Sequence, residues 1–291
     1  MQKVALIGLG TMGIGMGGRL LGAGFPLTVF NRTPERAAEL VKQGARLASS
    51  PAEAAADANI VFAMVSDDKV SREIWLGEKG ALKSAKPGTV CVDCSTLSPV
   101  WTRELAAEAQ KHGCEFLDAP VTGTKPHAAS GELVFLVGGS QEALDAARPV
   151  FSVLGRDVLH LGTVGSGARM KLINNFVCGV QAASFAEALT MIDAGVLDRA
   201  TAISVLTGGA PGSGIVKRIA DRMATNDFTP NFALHWMAKD LSYALRNAAD
   251  KGIQLQTAAA ALSVFQQAIA EGHGNEDFSA VSKTAARRSN S

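Results

Sequence analysis

Cysteine is scarce. The chain has four, at 91, 94, 114 and 178, too few for a secreted domain of this length to be built on disulfides, and a reducing cytoplasm fits that usage. Basic blocks are absent and the formal net charge is only +1. That balance excludes nucleic acid and anionic membrane as main partners and points toward small molecules. No uncharged run reaches the length of a membrane span. The one from Leu172 to Ala186 also holds two asparagines and a glutamine, which hydrocarbon would penalise, so a soluble protein is expected. There is no internal repeat and no low-complexity segment. The opening "MQKVALIGLG" flows into a glycine pattern rather than a longer apolar core with a cleavage site, and reads as a first strand, not a leader. Cys91 and Cys94 form C-x-x-C, but no second pair or neighbouring histidine completes a metal site, and they mark the end of the strand "TVCVDCS".

What is present is ample apolar material: 47% of 291 residues, enough for one large domain or two smaller ones. Up to about residue 160, β-branched runs ("KVALIGL", "LTVFN", "ANIVFAMV", "TVCVDCS", "CEFLDAPV", "LVFLVGG", "DVLHLG") alternate with alanine-rich helical segments. That alternation predicts an α/β fold with a doubly wound, parallel-type sheet. Beyond 163 the pattern is helical, with breaks at "TGGAPGSG" (207–214), "TNDFTPNF" (225–232) and "EGHGNEDF" (271–278). The glycine-rich "GTVGSG" at 162–167 supplies a joint. The expected division is therefore a dinucleotide-binding domain over 1–162 and an all-α domain over 163–291, with "ARRSNS" as a loosely ordered tail.

After the first strand, "GLGTMGIGM" places Gly8, Gly10 and Gly13 in a G-x-G-x-x-G, followed by the helical "GGRLLGAG" and the strand "LTVFN". In this context the motif has a physical reading. Gly8 permits the tight turn, Gly10 lets the backbone approach a pyrophosphate, and Gly13 allows close helix packing. Leu9, Thr11 and Met12 complete the loop, and the helix start supplies N–H donors. NAD sites carry a carboxylate at the end of the second strand, whereas this chain reads "NRTPER", with no acid before Glu35. Asn31, Arg32 and Thr33 suit a 2′-phosphate, so the expected cofactor is NADP(H). Alternatively, Arg32 solvates the turn and Thr33 caps the helix beginning at Pro34.

The stretch "RMKLINNFV" sets Lys171 four residues ahead of Asn175, with Asn174 partly beside them, on a long helix apolar nearly all round. Such a helix belongs in a core or at a domain junction, and is expected to face the cleft with the first domain. Two readings stand: Lys171 snorkels to solvent while Asn175 satisfies the backbone, or partial desolvation tunes Lys171 to act as a general acid.

Four separated stretches, "GLGTMGIGM", "DCSTLSP", "DAPVTGTKPHAASGEL" and "GARMKLINN", with "MAKDL" at 237–241, together resemble the β-hydroxyacid dehydrogenase family. That family includes 3-hydroxyisobutyrate dehydrogenases, tartronate semialdehyde reductases and glyoxylate/succinic semialdehyde reductases. The resemblance implies a Rossmann domain followed by an all-helical domain. It makes Lys171 the catalytic acid/base with Asn175 beside it, and assigns Thr122, Gly123 and Thr124 to the substrate carboxylate. It further assigns Met64, Val65, Ser95, Thr96 and Lys239 to the cofactor, Asp240 to the neighbourhood of the substrate, and Phe232 to closing the pocket. No metal is implied. Many members read "SGG" where this chain reads "TGT", which narrows the mouth against branched substrates. Lys125 in "TGTKP" and the NADP-type "NRT" lean toward the glyoxylate/succinic semialdehyde group.

The expected activity is therefore NADPH-dependent reduction of a short carboxylated aldehyde to the hydroxy acid. The alternatives are a 3-hydroxyisobutyrate or related dehydrogenase running in the oxidative direction, and a non-catalytic NADP(H)-binding sensor module. The Lys171/Asn175 pair argues against the sensor. An intact Lys171 also counts against an imine reductase, which shares the architecture but usually replaces the lysine. Subunit association through the helical domain is expected, as a dimer or tetramer.

Overall fold

The apolar runs of the first half form strands. The computed structural model describes residues 1–287, so most of the "ARRSNS" tail lies outside the described residues. The strands are β1 (Val4–Ile7), β2 (Leu27–Phe30), β3 (Arg46–Leu47), β4 (Ile60–Ala63), β5 (Val90–Asp93), β6 (Glu115–Asp118), β7 (Val121–Thr122), β8 (Leu133–Gly139) and β9 (Gly155–His160). Between them lie helices α1 (Thr11–Gly22), α2 (Ala38–Lys42), α3 (Pro51–Ala55), α4 (Asp68–Leu76), α5 (Pro99–Lys111), α6 (Lys125–Ser130) and α7 (Gln141–Leu154). The strand order is β3-β2-β1-β4-β5-β6-β8-β7, with β9 beside β8. Strands β1 to β6 pair in parallel, β8 runs antiparallel to both β6 and β7, and β9 returns parallel to β8.

Burial explains which runs sit centrally. Every residue of β1, β4 and β5 is buried, as strands covered by helices on both faces must be. One face carries Leu6, Phe62, Val92 and Leu117, packed with Phe135, Val150 and Phe151. The other carries Ile7, Val61, Cys91 and Phe116, packed with Trp75 and Trp101. Cys91 and Cys94 fall on opposite faces, which separates the thiols of the C-x-x-C. No group of three or more metal-ligating residues occurs among the described residues.

The helices start where small polar residues allow. Ser50, Asp67, Ser98 and Ser140 each accept an N–H of the first turn of α3, α4, α5 and α7, satisfying donors that have no partner within the helix. Helix α1 is different: its N-cap is Gly10, with no side-chain bond.

Past the sheet the chain is helical: α8 (Ser166–Asp193), α9 (Arg199–Gly208), α10 (Gly214–Thr225), α11 (Leu234–Ala249), α12 (Gln256–Ala270) and α13 (Val281–Arg287). The breaks coincide with the glycine- and proline-rich stretches, and Asn226, at φ 53°, closes α10. Two compact units result, Met1 to Lys171 and Leu172 onward, so α8 belongs to both. In the second unit Phe185, Leu189, Ile219, Leu234, Leu241 and Phe265 form the core. The apolar character of α8 is not matched by burial all round, because Ile173, Val177 and Met191 are exposed. No helix is long and apolar enough to cross a membrane among the described residues.

Phe151 meets Phe62 and Phe135 edge-on, at ring-centroid distances of 5.5 and 4.8 Å. Phe151→Ala removes both contacts from a fully buried position and is expected to cost about 3–5 kcal/mol of stability. Urea titration should show a lower midpoint at an unchanged slope. A loss below about 1 kcal/mol would mean that the site collapses around the gap.

Candidate active site

The glycine loop is built by contact rather than by flexibility. Gly8 has φ +98°, and a Cβ there would stand 2.3 Å from the Met64 carbonyl oxygen; a Cβ on Gly13 would stand 2.0 Å from the Gly8 oxygen. Both positions therefore require glycine. A Cβ on Gly10 would meet nothing within 4 Å, so its face is open to an approaching group. The uncapped first turn of α1 begins there, with N–H donors and the positive end of the helix dipole directed outward. The residues present fit a pyrophosphate.

The other cofactor candidates of the first unit gather at the same edge. Asn31 to Thr33 follow β2, Met64 and Val65 follow β4, and Ser95 and Thr96 follow β5. The strand order reverses between β1 and β4, and the crevice beyond the carboxyl ends at such a point is where open α/β sheets bind ligands. Asn31 has a task of its own: Oδ1 accepts from Leu9 N at 2.9 Å and Nδ2 donates to the Thr33 oxygen at 2.9 Å. It clips the glycine loop to the end of β2. Arg32 and Thr33 are exposed, and Thr33, although it precedes the turn at Pro34, makes no side-chain cap bond.

Ser95 is likewise committed. Its Oγ accepts from Val65 N at 2.8 Å, and its own N–H donates to Asp93 Oδ1 at 2.9 Å. The buried Asp93 carboxylate also accepts from Ser71 Oγ (2.8 Å) and Trp75 Nε1 (2.9 Å), while Trp101 Nε1 donates to Ser71 Oγ (2.9 Å). Burial raises the Asp93 pKa, and these bonds pull it back. Its role escaped the sequence reading. The signal was there: a carboxylate ending an otherwise apolar strand, immediately before "CST".

In the substrate motif, Gly123 adopts φ +130°, and a Cβ would press on Leu133 Cδ2 at 3.0 Å and His127 Cβ at 3.2 Å. Thr122 and Thr124 flank it, half-buried. Thr124 N–H donates to His127 Nδ1 at 3.1 Å, and Thr124 Oγ1 lies 2.9 Å from the same nitrogen. His127, also missed from sequence, thus shapes the loop from the first turn of α6. An acceptor Nδ1 places the proton of neutral His127 on Nε2.

Within the second unit, α8 and α11 bring together Asn174, Asn175, Lys239 and Asp240. Asp240 is fully buried; its Oδ2 accepts from Asn175 Nδ2 at 2.6 Å and its Oδ1 is paired with Lys239 Nζ at 3.1 Å. Asn174 Nδ2 donates to Asn175 Oδ1 at 2.9 Å. The carboxylate accepts only, so the Asn175 amide orientation is fixed. Lys239 also faces the Tyr243 ring at 5.0 Å. Lys171 is half-buried on α8, one turn before Asn175, and residues at that spacing share a helix face.

Phe232, half-buried, precedes α11 and is held from below. Asp277 Oδ2 accepts from Asn231 N (3.0 Å) and Phe232 N (3.2 Å), and the Phe232 and Phe278 rings meet edge-on at 6.1 Å. Arg222 Nε lies 3.3 Å from Asp277 Oδ1 and balances its charge. Asp277 is a further residue that sequence alone did not single out.

The chain matches two domain families: the NAD binding domain of 6-phosphogluconate dehydrogenase over residues 3–162, and the NAD-binding domain of NADP-dependent 3-hydroxyisobutyrate dehydrogenase over residues 165–285. It is 34% identical to the 3-sulfolactaldehyde reductase of Escherichia coli (strain K12), across 97% of this chain and 95% of that one. To the NAD-dependent L-serine dehydrogenase of Pseudomonas aeruginosa it is 33% identical, across 97% of each. A solved structure of Mycobacterium tuberculosis 3-hydroxyisobutyrate dehydrogenase with L-serine is 33% identical and superposes with a TM-score of 0.89, over 98% of this chain and 99% of that one.

The Asn31 clip generates a prediction. Asn31→Ala removes the hydrogen bond from Leu9 N of the glycine loop and the one to the Thr33 oxygen after β2 and should weaken NADP(H) binding by about tenfold, a loss within the roughly 1–3 kcal/mol of an unsatisfied polar group. Titration calorimetry measures it. Unchanged affinity would show that the loop holds its shape without the clip.

Proposed function

Because the chain belongs to the β-hydroxyacid dehydrogenase family of NAD(P)-dependent oxidoreductases, we propose that it reduces short carboxylated aldehydes, of the glyoxylate or succinic semialdehyde type, to hydroxy acids with NADPH. The observation that carries the reading is the Lys171/Asn175 pair on α8, with the Asn175 amide fixed by a buried carboxylate.

The cofactor supplies the hydride. As the aldehyde carbon is reduced, negative charge grows on its oxygen, and the Lys171 ammonium both stabilises that charge and donates the proton that completes the alcohol. Asn175 has one amide hydrogen left after Asp240 takes the other, and offers it to the same oxygen. Thr122, Gly123 and Thr124 take the carboxylate through hydroxyl and backbone donors. Phe232 closes the apolar side. Arg32 and Thr33 read the 2′-phosphate, Arg32 through charge-assisted bonds. Lys239, paired with Asp240 within the second unit, is assigned to cofactor binding by the family resemblance.

A second reading, oxidation of a 3-hydroxy acid, is favoured by the names of the L-serine dehydrogenase and 3-hydroxyisobutyrate dehydrogenase relatives. It uses the same residues, with Lys171 as the base. Four free cysteines, three of them buried, suit a reducing cytoplasm. The exposed apolar residues Ile173, Val177 and Met191 along α8 suit association into a homo-oligomer.

The test is NADPH oxidation, followed by absorbance, with glyoxylate and succinic semialdehyde offered separately. Lys171→Ala should lower kcat by about 10²–10⁴-fold with NADPH affinity unchanged. Turnover that survives the substitution removes Lys171 from the chemistry, and turnover only with 3-hydroxy acids favours the second reading. Arg32→Ala should raise the KM for NADPH about tenfold to a hundredfold, as expected for a lost charged hydrogen bond, and leave that for NADH unchanged. A wild type that prefers NADH would refute the phosphate assignment.

A further inference from the structure

Asp118 ends β6 and is only 2% exposed. No cation pairs with it among the described residues. Its carboxylate accepts from backbone donors at the start of α8 instead: Gly165 N to Oδ1 at 2.8 Å and Ala168 N to Oδ2 at 2.7 Å, with Gly167 N–H and its own N–H also contributing. Two glycines wall this cage. A Cβ on Gly138 would stand 2.5 Å from Asp118 Oδ1 and 3.0 Å from Ser166 N, and one on Gly167 would stand 2.1 Å from the Leu136 oxygen and 3.0 Å from Asp118 Oδ2. The approach of the helix start to the sheet is therefore fixed on three sides.

Two segments meet in this residue. Downstream along the chain, four positions on and at the end of β7, is Thr122, the first residue of the proposed carboxylate cradle. Along the helix, three positions beyond Ala168, is Lys171. We propose that Asp118 is a positioning residue: by holding the first turn of α8 it sets the register of Lys171 against the 122–124 loop. The proposal rests on the reductase reading above.

The caging has a titration consequence. Burial pushes the Asp118 carboxyl up to about 7, against the pull of its backbone bonds. Protonation puts an O–H where an N–H already points, so the anchor loosens as pH falls through that value. The neighbouring elements present these other titratable or charged groups: Asp93 in register on β5, His160 of β9, whose Nε2 lies 2.9 Å from the Gly139 oxygen beside Gly138, Arg103 of α5 beside Gly165, and Arg169 and Lys171 on α8 itself. Strand β8 and the turn 161–165 carry no titratable side chain. A folded-state pKa above the ordinary carboxylate value means that the folded chain holds a proton the unfolded chain has lost between about pH 4 and 7. This group thus costs stability increasingly across that window, and reaches its full cost above it.

The experiment compares wild type and Asp118→Asn with NADPH and a carboxylated aldehyde between pH 5.5 and 8.5, alongside the 1H–15N shifts of Gly165 and Ala168 in the wild type. The wild type should show a step in kcat centred near pH 7, where the Asp118 carboxyl titrates at about 7, with the two amides titrating at the same midpoint. In Asp118→Asn the step should vanish and kcat at pH 8 should fall about tenfold to a hundredfold, as for a misplaced catalytic group, while KM for the aldehyde and NADPH affinity stay within about threefold. A variant with wild-type kcat, or one that keeps the step, overturns the proposal. If the variant does not fold, amide shifts in the wild type that stay flat over the range overturn it equally. A wild type that turns over no carboxylated aldehyde refutes the functional reading instead, and the amide titration still reads the anchor.

Discussion

Two carboxylates buried side by side, neither paired with a cation among the described residues, govern the edge of the sheet at which the chemistry is proposed. Asp93 and Asp118 are register partners on β5 and β6. An isolated charge in such a place costs several kcal/mol, and the chain offsets it with neutral donors, each bond to a charged group contributing about 1.5–3 kcal/mol. The donors have to come from somewhere, and where they come from organises the surroundings. Asp93 draws in Ser71, Trp75 and Ser95, and Ser95 in turn holds Val65. Asp118 draws in the first turn of α8. One requirement, solvation of buried charge by protein groups, thus places both the loop beyond β5 and the start of the helix carrying Lys171.

The glycine loop obeys a different constraint, that of steric approach. Gly8 and Gly13 are needed because carbonyl oxygens stand where their side chains would be, whereas Gly10 has no such neighbour and gains its value from what it leaves accessible. Four other helices of the first unit, α3, α4, α5 and α7, spend a serine or aspartate on their first turn. At α1 no side chain caps the first turn, and its donors stay open in the way a phosphate site requires. The same economy appears at Asn31, whose amide serves the protein and leaves Arg32 and Thr33 as the residues directed to solvent.

Much of this was legible in the sequence because it depends on local pattern. Runs such as "VALI" and "IVFA" announce strands covered on both faces, G-x-G-x-x-G announces its turn, and the spacing of Lys171 and Asn175 fixes a shared helix face. The two-residue β3, exposed at both positions, carries no apolar signal. The reversal of β8 was also hidden, since a strand buried on both faces reads the same in either direction. The tasks of Asp93 and Asp118 depend on strand register, and that of Asp277 on a loop 45 residues away. Apart from Ser95, two residues from Asp93, no short window of sequence contains such partners.

The second unit shows how a long-range contact turns a legible residue into a specific one. From spacing alone, Asn175 is a polar group beside Lys171, able to present either its oxygen or its nitrogen. Asp240, 65 residues further on, removes that freedom. Its Oδ2 receives the Asn175 N–H and Lys239 Nζ lies 3.1 Å from its Oδ1, while Asn174 Nδ2 donates to the amide oxygen. The second N–H of the Asn175 amide remains as a donor. A donor fixed one turn from an ammonium suits an oxygen gaining negative charge, and would serve poorly against a group that itself donates. The buried ion pair therefore does more than neutralise a core: it fixes which half of the Asn175 amide meets Asp240.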